Sequence, residues 1–176
     1  RKGRLTAFMA KLATDNSRRT YGIAANEYVA ICIDATGKAS VYGDYPNYQE
    51  FAFFAQSNCQ TSFLPETCQS NTPLTWNRDG EAVKVYRVPG TMNGTNYFQL
   101  SDWQIGLGGF WENWTVNNGI FNSTTGNASN CTLSYNNFEN NEFQIYPVPF
   151  NNEILIKGDN CTNIKVYDAV GKLIFE

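Results

Sequence analysis

Tyr28-Val29-Ala30-Ile31-Cys32-Ile33-Asp34 is an almost wholly apolar run, closed by a turn at Ala35-Thr36-Gly37 and followed by a second strand through Val41. A strand without alternation is expected in a sheet covered on both faces. Upstream, Leu5, Phe8, Met9 and Leu12 recur at i, i+3, i+4 and i+7, so residues 4–13 are predicted to form an amphipathic helix ending at Asp15-Asn16-Ser17. A helix leading into buried strands reads as the closing part of an α/β domain.

Downstream, Pro46, Pro65 and Pro73 interrupt residues 44–80, which are expected to be irregular and anchored by Phe51, Phe53 and Phe54. Val83 and Val85, then Phe98 and Leu100, alternate with polar neighbours around turn signals at Pro89-Gly90 and Asn93-Gly94, so residues 82–100 are predicted as a hairpin. Trp103, Trp111 and Trp114 follow among glycines; packing is the favoured role for them over binding a polymer face. From Asn117 to Asn141 the chain is rich in Asn, Ser, Thr and Gly, with too little apolar surface to order itself beyond a short strand near Thr132–Tyr135. Alternation then returns at 143–146, 154–156 and 164–167, and Leu173-Ile174-Phe175 starts another strand, the spacing of a small β-sandwich.

The 176 residues carry 16 acidic and 13 basic side chains, a net charge of −3, and no basic run, which argues against nucleic acid and anionic membranes as partners. No apolar stretch approaches the roughly 20 residues of a membrane span. The chain contains no His, so an imidazole base has to come from outside this segment. Without His or a CxxC spacing, neither a zinc site nor any other metal or cofactor is expected. Cys59 and Cys68 flank a polar loop whose closure by a disulfide would contribute about 2.5–3 kcal/mol. Cys131 and Cys161 lie on the two sides of a possible domain boundary, and Cys32 is expected to be a buried small hydrophobe. The sequence opens on Arg1-Lys2-Gly3-Arg4 without a starting Met and stops inside a strand at Lys172–Glu176, so both ends read as cut.

Two resemblances follow. Tyr146-Pro147-Val148-Pro149-Phe150, then Ile164-Lys165-Val166-Tyr167-Asp168-Ala169-Val170-Gly171-Lys172, resembles the C-terminal sorting domain of type IX secretion, without its final Leu-x-x-Gly-x-Tyr block. The resemblance implies export across the outer membrane of a Bacteroidetes-type bacterium by the type IX machinery, with the tag then removed or replaced by a surface anchor. The front resembles cyanophycinases and related aspartyl dipeptidases over residues 1–104. It does so through Arg1-Lys2-Gly3-Arg4-Leu5 with its helix, Gly22-Ile23-Ala24-Ala25-Asn26-Glu27-Tyr28-Val29-Ala30, and the Val83–Leu100 segment. Ala24 and Asn26 stand where that family usually has Gly and Asp. Together these imply the C-terminal portion of a three-layer, mostly parallel α/β domain (1–115), a linker (116–141) and a truncated Ig-like β-sandwich sorting domain (142–176).

The peptidase resemblance implies hydrolysis by a Ser nucleophile and a His base, both upstream of Arg1, with Glu27 holding the imidazole as third triad member. The plain alternative for Glu27 is a solvated side chain at a strand entrance. Arg1 and Arg4 sit at a helix N-terminus, where cations oppose the macrodipole at a cost of a few tenths of a kcal/mol. Paired with unsatisfied backbone N–H groups they suit a substrate carboxylate, as on cyanophycin, although solvated terminal charges explain them equally. The expected activity is a secreted serine-type exopeptidase acting on cyanophycin or aspartyl peptides, inactive as this segment alone. The competing expectation is a surface-displayed, non-catalytic binding module on a degenerate peptidase scaffold. Oligomeric state is left open.

Overall fold

The computed structural model describes residues 2–129 and, beyond them, short strands within 144–146, 155–157, 166–167 and 173–175. The chain divides into two compact units, Arg1–Thr132 and Leu133–Glu176. The first holds α1 (Lys2–Asn16), β1 (Tyr21–Ala25), β2 (Ala30–Ile33), β3 (Lys38–Tyr42), β4 (Phe51–Ser57), β5 (Val83–Pro89), β6 (Tyr97–Gln99), β7 (Gly106–Leu107), β8 (Phe110–Asn117) and β9 (Ile120–Thr125). They form a five-stranded sheet, β1-β4-β5-β8-β9, and a four-stranded sheet, β2-β3-β6-β7.

Every ladder in both sheets is antiparallel. The mostly parallel sheet expected from the sequence is therefore corrected to a mostly antiparallel β architecture. Parallel neighbours need crossovers of a dozen or more residues, usually helical. α1 is the only helix among the described residues, and it precedes the first strand rather than joining two.

β4 is the centre, buried along its whole length. Phe51, Phe53 and Ala55 pack with Met9 and Ala10 of α1, whereas Ala52 and Phe54 pack with Ala39 and Val41 of β3 and Phe98 of β6. This overturns the irregular reading of residues 44–80. The rule that a continuous apolar run means cover on both faces is sound, but it belongs to 51–57 rather than 28–34. β2 is an edge strand, with Cys32 and Ile33 exposed, so the buried-thiol expectation for Cys32 is also wrong.

Three further expectations change. The helix is present, but its buried stripe is Thr6, Met9, Ala10 and Ala13, leaving Phe8 63% and Leu12 53% exposed. Small residues on that stripe let the helix close on β1, where a Cβ on Gly22 would stand 2.9 Å from the Leu5 side chain. Residues 82–100 are not a hairpin: β5 pairs with β4 and β8, while β6 pairs with β3 and β7. The Pro89-Gly90 and Asn93-Gly94 turns instead carry the chain from one sheet into the other. Finally, β9 lies inside the stretch read from composition as unable to order itself, pairing with β8 from Glu112↔Thr125 to Asn117↔Ile120.

The tryptophans pack. Trp76 and Trp114 are fully buried, and Trp103 and Trp111 set their edges against the Phe98 ring at 5.8 and 5.9 Å. Tyr86 lies so close over the glycine-rich turn that its hydroxyl accepts a hydrogen bond from the Gly109 N–H at 3.0 Å. In the second unit β10 (Gln144–Tyr146) pairs antiparallel with β11 (Leu155–Lys157), and β12 (Val166–Tyr167) with β13 (Leu173–Phe175). Four short antiparallel strands are compatible with the β-sandwich expected there. The Pro147–Pro149 break, the Asp168–Gly171 turn and the strand near Thr132–Tyr135 lie outside the described residues.

Gly109→Ala would place a Cβ 2.5 Å from the Arg87 carbonyl oxygen and 2.8 Å from the Tyr86 ring. It is expected to lower stability by about 1–3 kcal/mol in chemical denaturation. Gly3→Ala, whose Cβ would meet Phe121 at an ordinary 3.6 Å, should stay within about 0.5 kcal/mol of the parent.

Candidate functional site

β1 ends at Ala25, and the Asn26 N–H donates to the Phe51 carbonyl at 3.0 Å, pinning the start of the next turn to β4. Glu27 and Tyr28 form that turn and face solvent. Tyr28 adopts a left-handed backbone, φ 60°, which is uncommon for a bulky residue. Arg4 is exposed on the first turn of α1, and Arg1 lies outside the described residues. Among the described residues, Arg4 and Glu27 are not joined by an ion pair.

Around this turn the structure gathers aromatic rings that sequence reading had scattered between a strand and an irregular loop. Tyr28 and Tyr48 lie 5.4 Å apart, tilted by 30°. Tyr45 is 6.0 Å from Phe51, and Phe51 is 6.5 Å edge-on from Phe110. The Arg87 guanidinium sits 3.6 Å over Phe51 and 5.0 Å from Phe110.

Behind that edge is a buried charge cluster which the sequence did not reveal. Glu112 Oε1 accepts from Arg87 Nη1 at 3.0 Å. Its Oε2 accepts from Trp114 Nε1 at 2.8 Å, Ser123 Oγ at 3.1 Å and Lys2 Nζ at 3.2 Å. Lys2 also lies over the Phe53 and Trp114 rings, at 4.9 and 5.4 Å. Burial pushes the Glu112 carboxyl up, but the hydrogen bonds from Trp114 and Arg87 and the nearby Lys2 charge outweigh it and hold it below the usual carboxylate value. Ionised and accepting four donors, Glu112 ties α1, β5, β8 and β9 together and is unsuited to act as a proton acceptor.

A separate cleft of about 330 Å3 opens beyond the end of β4, lined by Asn58, Gln60, Glu81, Lys84, Asn127 and Ser129 together with Cys59. Lys84 pairs with Glu81 at 2.9 Å. Asn58 Oδ1 accepts the Gln60 N–H at 3.2 Å, whereas its buried Nδ2 has no partner. These groups can hydrogen-bond a polar ligand. No group of three or more His, Cys, Asp or Glu side chains suited to a metal ion occurs among the described residues.

Cys59 is disulfide-bonded, while Cys32 and Cys68 are free thiols. The Cys59–Cys68 closure suggested by the sequence is thus excluded: Cys68 packs, partly buried, against the α1-side core.

Two measurements follow from this chemistry. Native, non-reduced protein is expected to take up a maleimide fastest at Cys32 and more slowly at Cys68, with Cys59 modified only after reduction, as read by peptide mass spectrometry. Glu112→Gln leaves Arg87 and Lys2 without a counter-charge; because both are partly solvated, the expected loss is about 2–4 kcal/mol. A carboxyl whose folded pKa is lowered contributes stability above its unfolded value, about 4.3, and that contribution disappears as pH falls through the folded pKa. The stability difference between parent and Glu112→Gln should therefore be full at pH 7 and shrink below about pH 4.3 in denaturant titrations.

Comparison with family models matches residues 144–176 to the secretion system C-terminal sorting domain. Comparison with curated proteins and with solved structures returns no match. These findings lend no support of their own to the peptidase-like resemblance of residues 1–104. No helix among the described residues is long and apolar enough to cross a membrane. The sorting domain engages the type IX secretion machinery, and the chain is secreted or attached to the cell surface through that pathway.

Proposed function

We propose that this exported chain carries the C-terminal part of a serine-type peptidase domain that hydrolyses cyanophycin or related aspartyl peptides. The observation that carries the reading is the position of Glu27. It follows β1 directly, is open to solvent, and β1 is the outer strand of the five-stranded sheet. An imidazole supplied by an upstream segment can approach a carboxylate placed there. Because the 176 residues contain no His, this reading takes its base from outside them.

In this reading the upstream Ser Oγ attacks the scissile carbonyl and the His takes its proton. Glu27 holds the imidazole tautomer and stabilises the imidazolium. The first turn of α1 contains no acidic residue. Lys2 is committed to Glu112, and in this reading Arg4, exposed on the same turn, meets the substrate carboxylate together with Arg1.

A second reading, a surface-displayed binding module without catalysis, is favoured by the cleft with its unpartnered Asn58 Nδ2. Retention on an insoluble wall polymer without turnover would select it.

Full-length enzyme is expected to release β-Asp-Arg from cyanophycin, or to cleave Asp-X peptides. Glu27→Gln should lower kcat roughly 10²–10⁴-fold, with the far-ultraviolet circular dichroism of the folded protein retained. A full-length protein that releases no dipeptide from either substrate class would sink the peptidase reading.

A further inference from the structure

Asn58 is the anomaly of the first unit. It is 1% exposed, and its amide is fixed in orientation because Oδ1 accepts the Gln60 N–H at 3.2 Å. That leaves Nδ2 as a buried donor without a partner among the described residues. Such a group has lost its hydration and gained no hydrogen bond in exchange. Asn58 lines the cleft of about 330 Å3, so an acceptor entering there would satisfy it.

The wall that carries Asn58 is braced. The Arg19 guanidinium donates to the carbonyls of Asn58, Cys59 and Gln60 at 3.0–3.1 Å and lies 5.2 Å from the Phe63 ring. The disulfide at Cys59 ties down the same loop. Ser129, also lining the cleft, is 2% exposed and accepts from Gln56 Nε2 at 3.0 Å, which leaves its own proton to give. Lys84, with its side chain 8% exposed, pairs with Glu81 at 2.9 Å. Walls held in this way lose little order when a ligand binds.

The same groups select the ligand. Asn58 Nδ2, the Ser129 hydroxyl and the Lys84 ammonium all donate, so the ligand must present oxygen acceptors. Lys84 is already neutralised by Glu81, and an anion would set a second negative charge beside that carboxylate. A hydroxyl avoids the conflict: it accepts from one of the donors and passes its own proton to Glu81. None of the lining residues is aromatic, so a flat aromatic ligand would find no stacking face. The volume lies near the lower end of the roughly 300–1,000 Å3 of small-molecule clefts, which is room for one compact unit.

We propose that this cleft binds a neutral, polyhydroxylated ligand, a saccharide unit at the end of a glycan. Such a site deepens the binding-module reading, on which it rests, by naming the chemistry of what is bound.

The test titrates full-length protein with glucose, galactose and mannose and with the three corresponding uronates, read by saturation-transfer difference NMR. One of the neutral hexoses should bind with a Kd on the order of 1 mM, and its uronate at least roughly 5-fold more weakly. Asn58→Asp keeps the acceptor for the Gln60 N–H but exchanges the unpartnered donor for an acceptor, so it should weaken hexose binding roughly 10-fold. Glu81→Gln, at the solvent-exposed member of the ion pair, frees the Lys84 charge and should move the preference toward the uronate by roughly 5-fold or more. This second variant decides the matter if Asn58→Asp does not fold. No binding of any hexose, a uronate bound as tightly as its hexose by the parent, full hexose binding by folded Asn58→Asp, or an unchanged preference in Glu81→Gln would each overturn the proposal. Retention on an insoluble wall polymer by a protein that binds none of these sugars would remove this site and leave the binding-module reading standing on another surface.

Discussion

Burial of β4 on both faces is the constraint from which the rest of the first unit follows. Phe51, Phe53 and Ala55 point one way and Ala52 and Phe54 the other, so each side of the strand needs its own cover. Fully burying a Phe side chain contributes about 1.5–3 kcal/mol, so leaving either face open would forfeit several kcal/mol. α1 supplies one cover with Met9 and Ala10, and β3 and β6 supply the other. Once β4 is central, β1 falls on its outer side in register from Tyr21↔Gln56 to Ala25↔Ala52. The turn bearing Glu27 and Tyr28 is delivered to the rim as a consequence.

The polar counterpart is Glu112. A carboxylate beneath α1 would be costly alone, and removal of its partners would leave an uncompensated buried charge. Here two cations, an indole N–H and a hydroxyl meet it, from α1 and from three neighbouring strands of the five-stranded sheet. The cluster fixes where α1 begins relative to the sheet, because Lys2 reaches it from the first helical turn. It also holds the Arg87 guanidinium against Phe51 and Phe110, and so stiffens the aromatic edge beside the Glu27 turn.

Export fits the cysteine chemistry. A disulfide at Cys59 is stable in an oxidising exterior and improbable in a reduced cytoplasm. The sorting domain and the disulfide therefore point to the same destination by independent routes.

The sequence by itself determined what depends on near neighbours. The 3.6-residue period marked α1, the Ala35-Thr36-Gly37 turn marked the β2–β3 hairpin, and alternation in the tail marked β10 to β13, because each signal is complete within a dozen residues. Glu27 was expected at the entrance of a strand beginning at Tyr28 and lies instead in the turn between β1 and β2, because the strand at 21–25 gave no recognised sequence signal; only the motif around Glu27 suggested a role. Tertiary structure decided everything that rests on distant partners. Two apolar runs, 28–34 and 51–57, look alike in composition, and which becomes the core depends on what pairs beside it. The helix period was right, yet the choice between Phe8/Leu12 and Ala10/Ala13 as the buried stripe was made by how closely α1 must approach β1. Glu112 gives no local sign of its place, since one of its partners, Lys2, lies 110 residues away along the chain. Likewise the Tyr28–Tyr48 ring pair forms only because pairing of β1 with β4 brings the ends of two separate loops to one rim. Local patterns encode which elements form; the free energy of burial and charge pairing between distant residues selects how they are arranged.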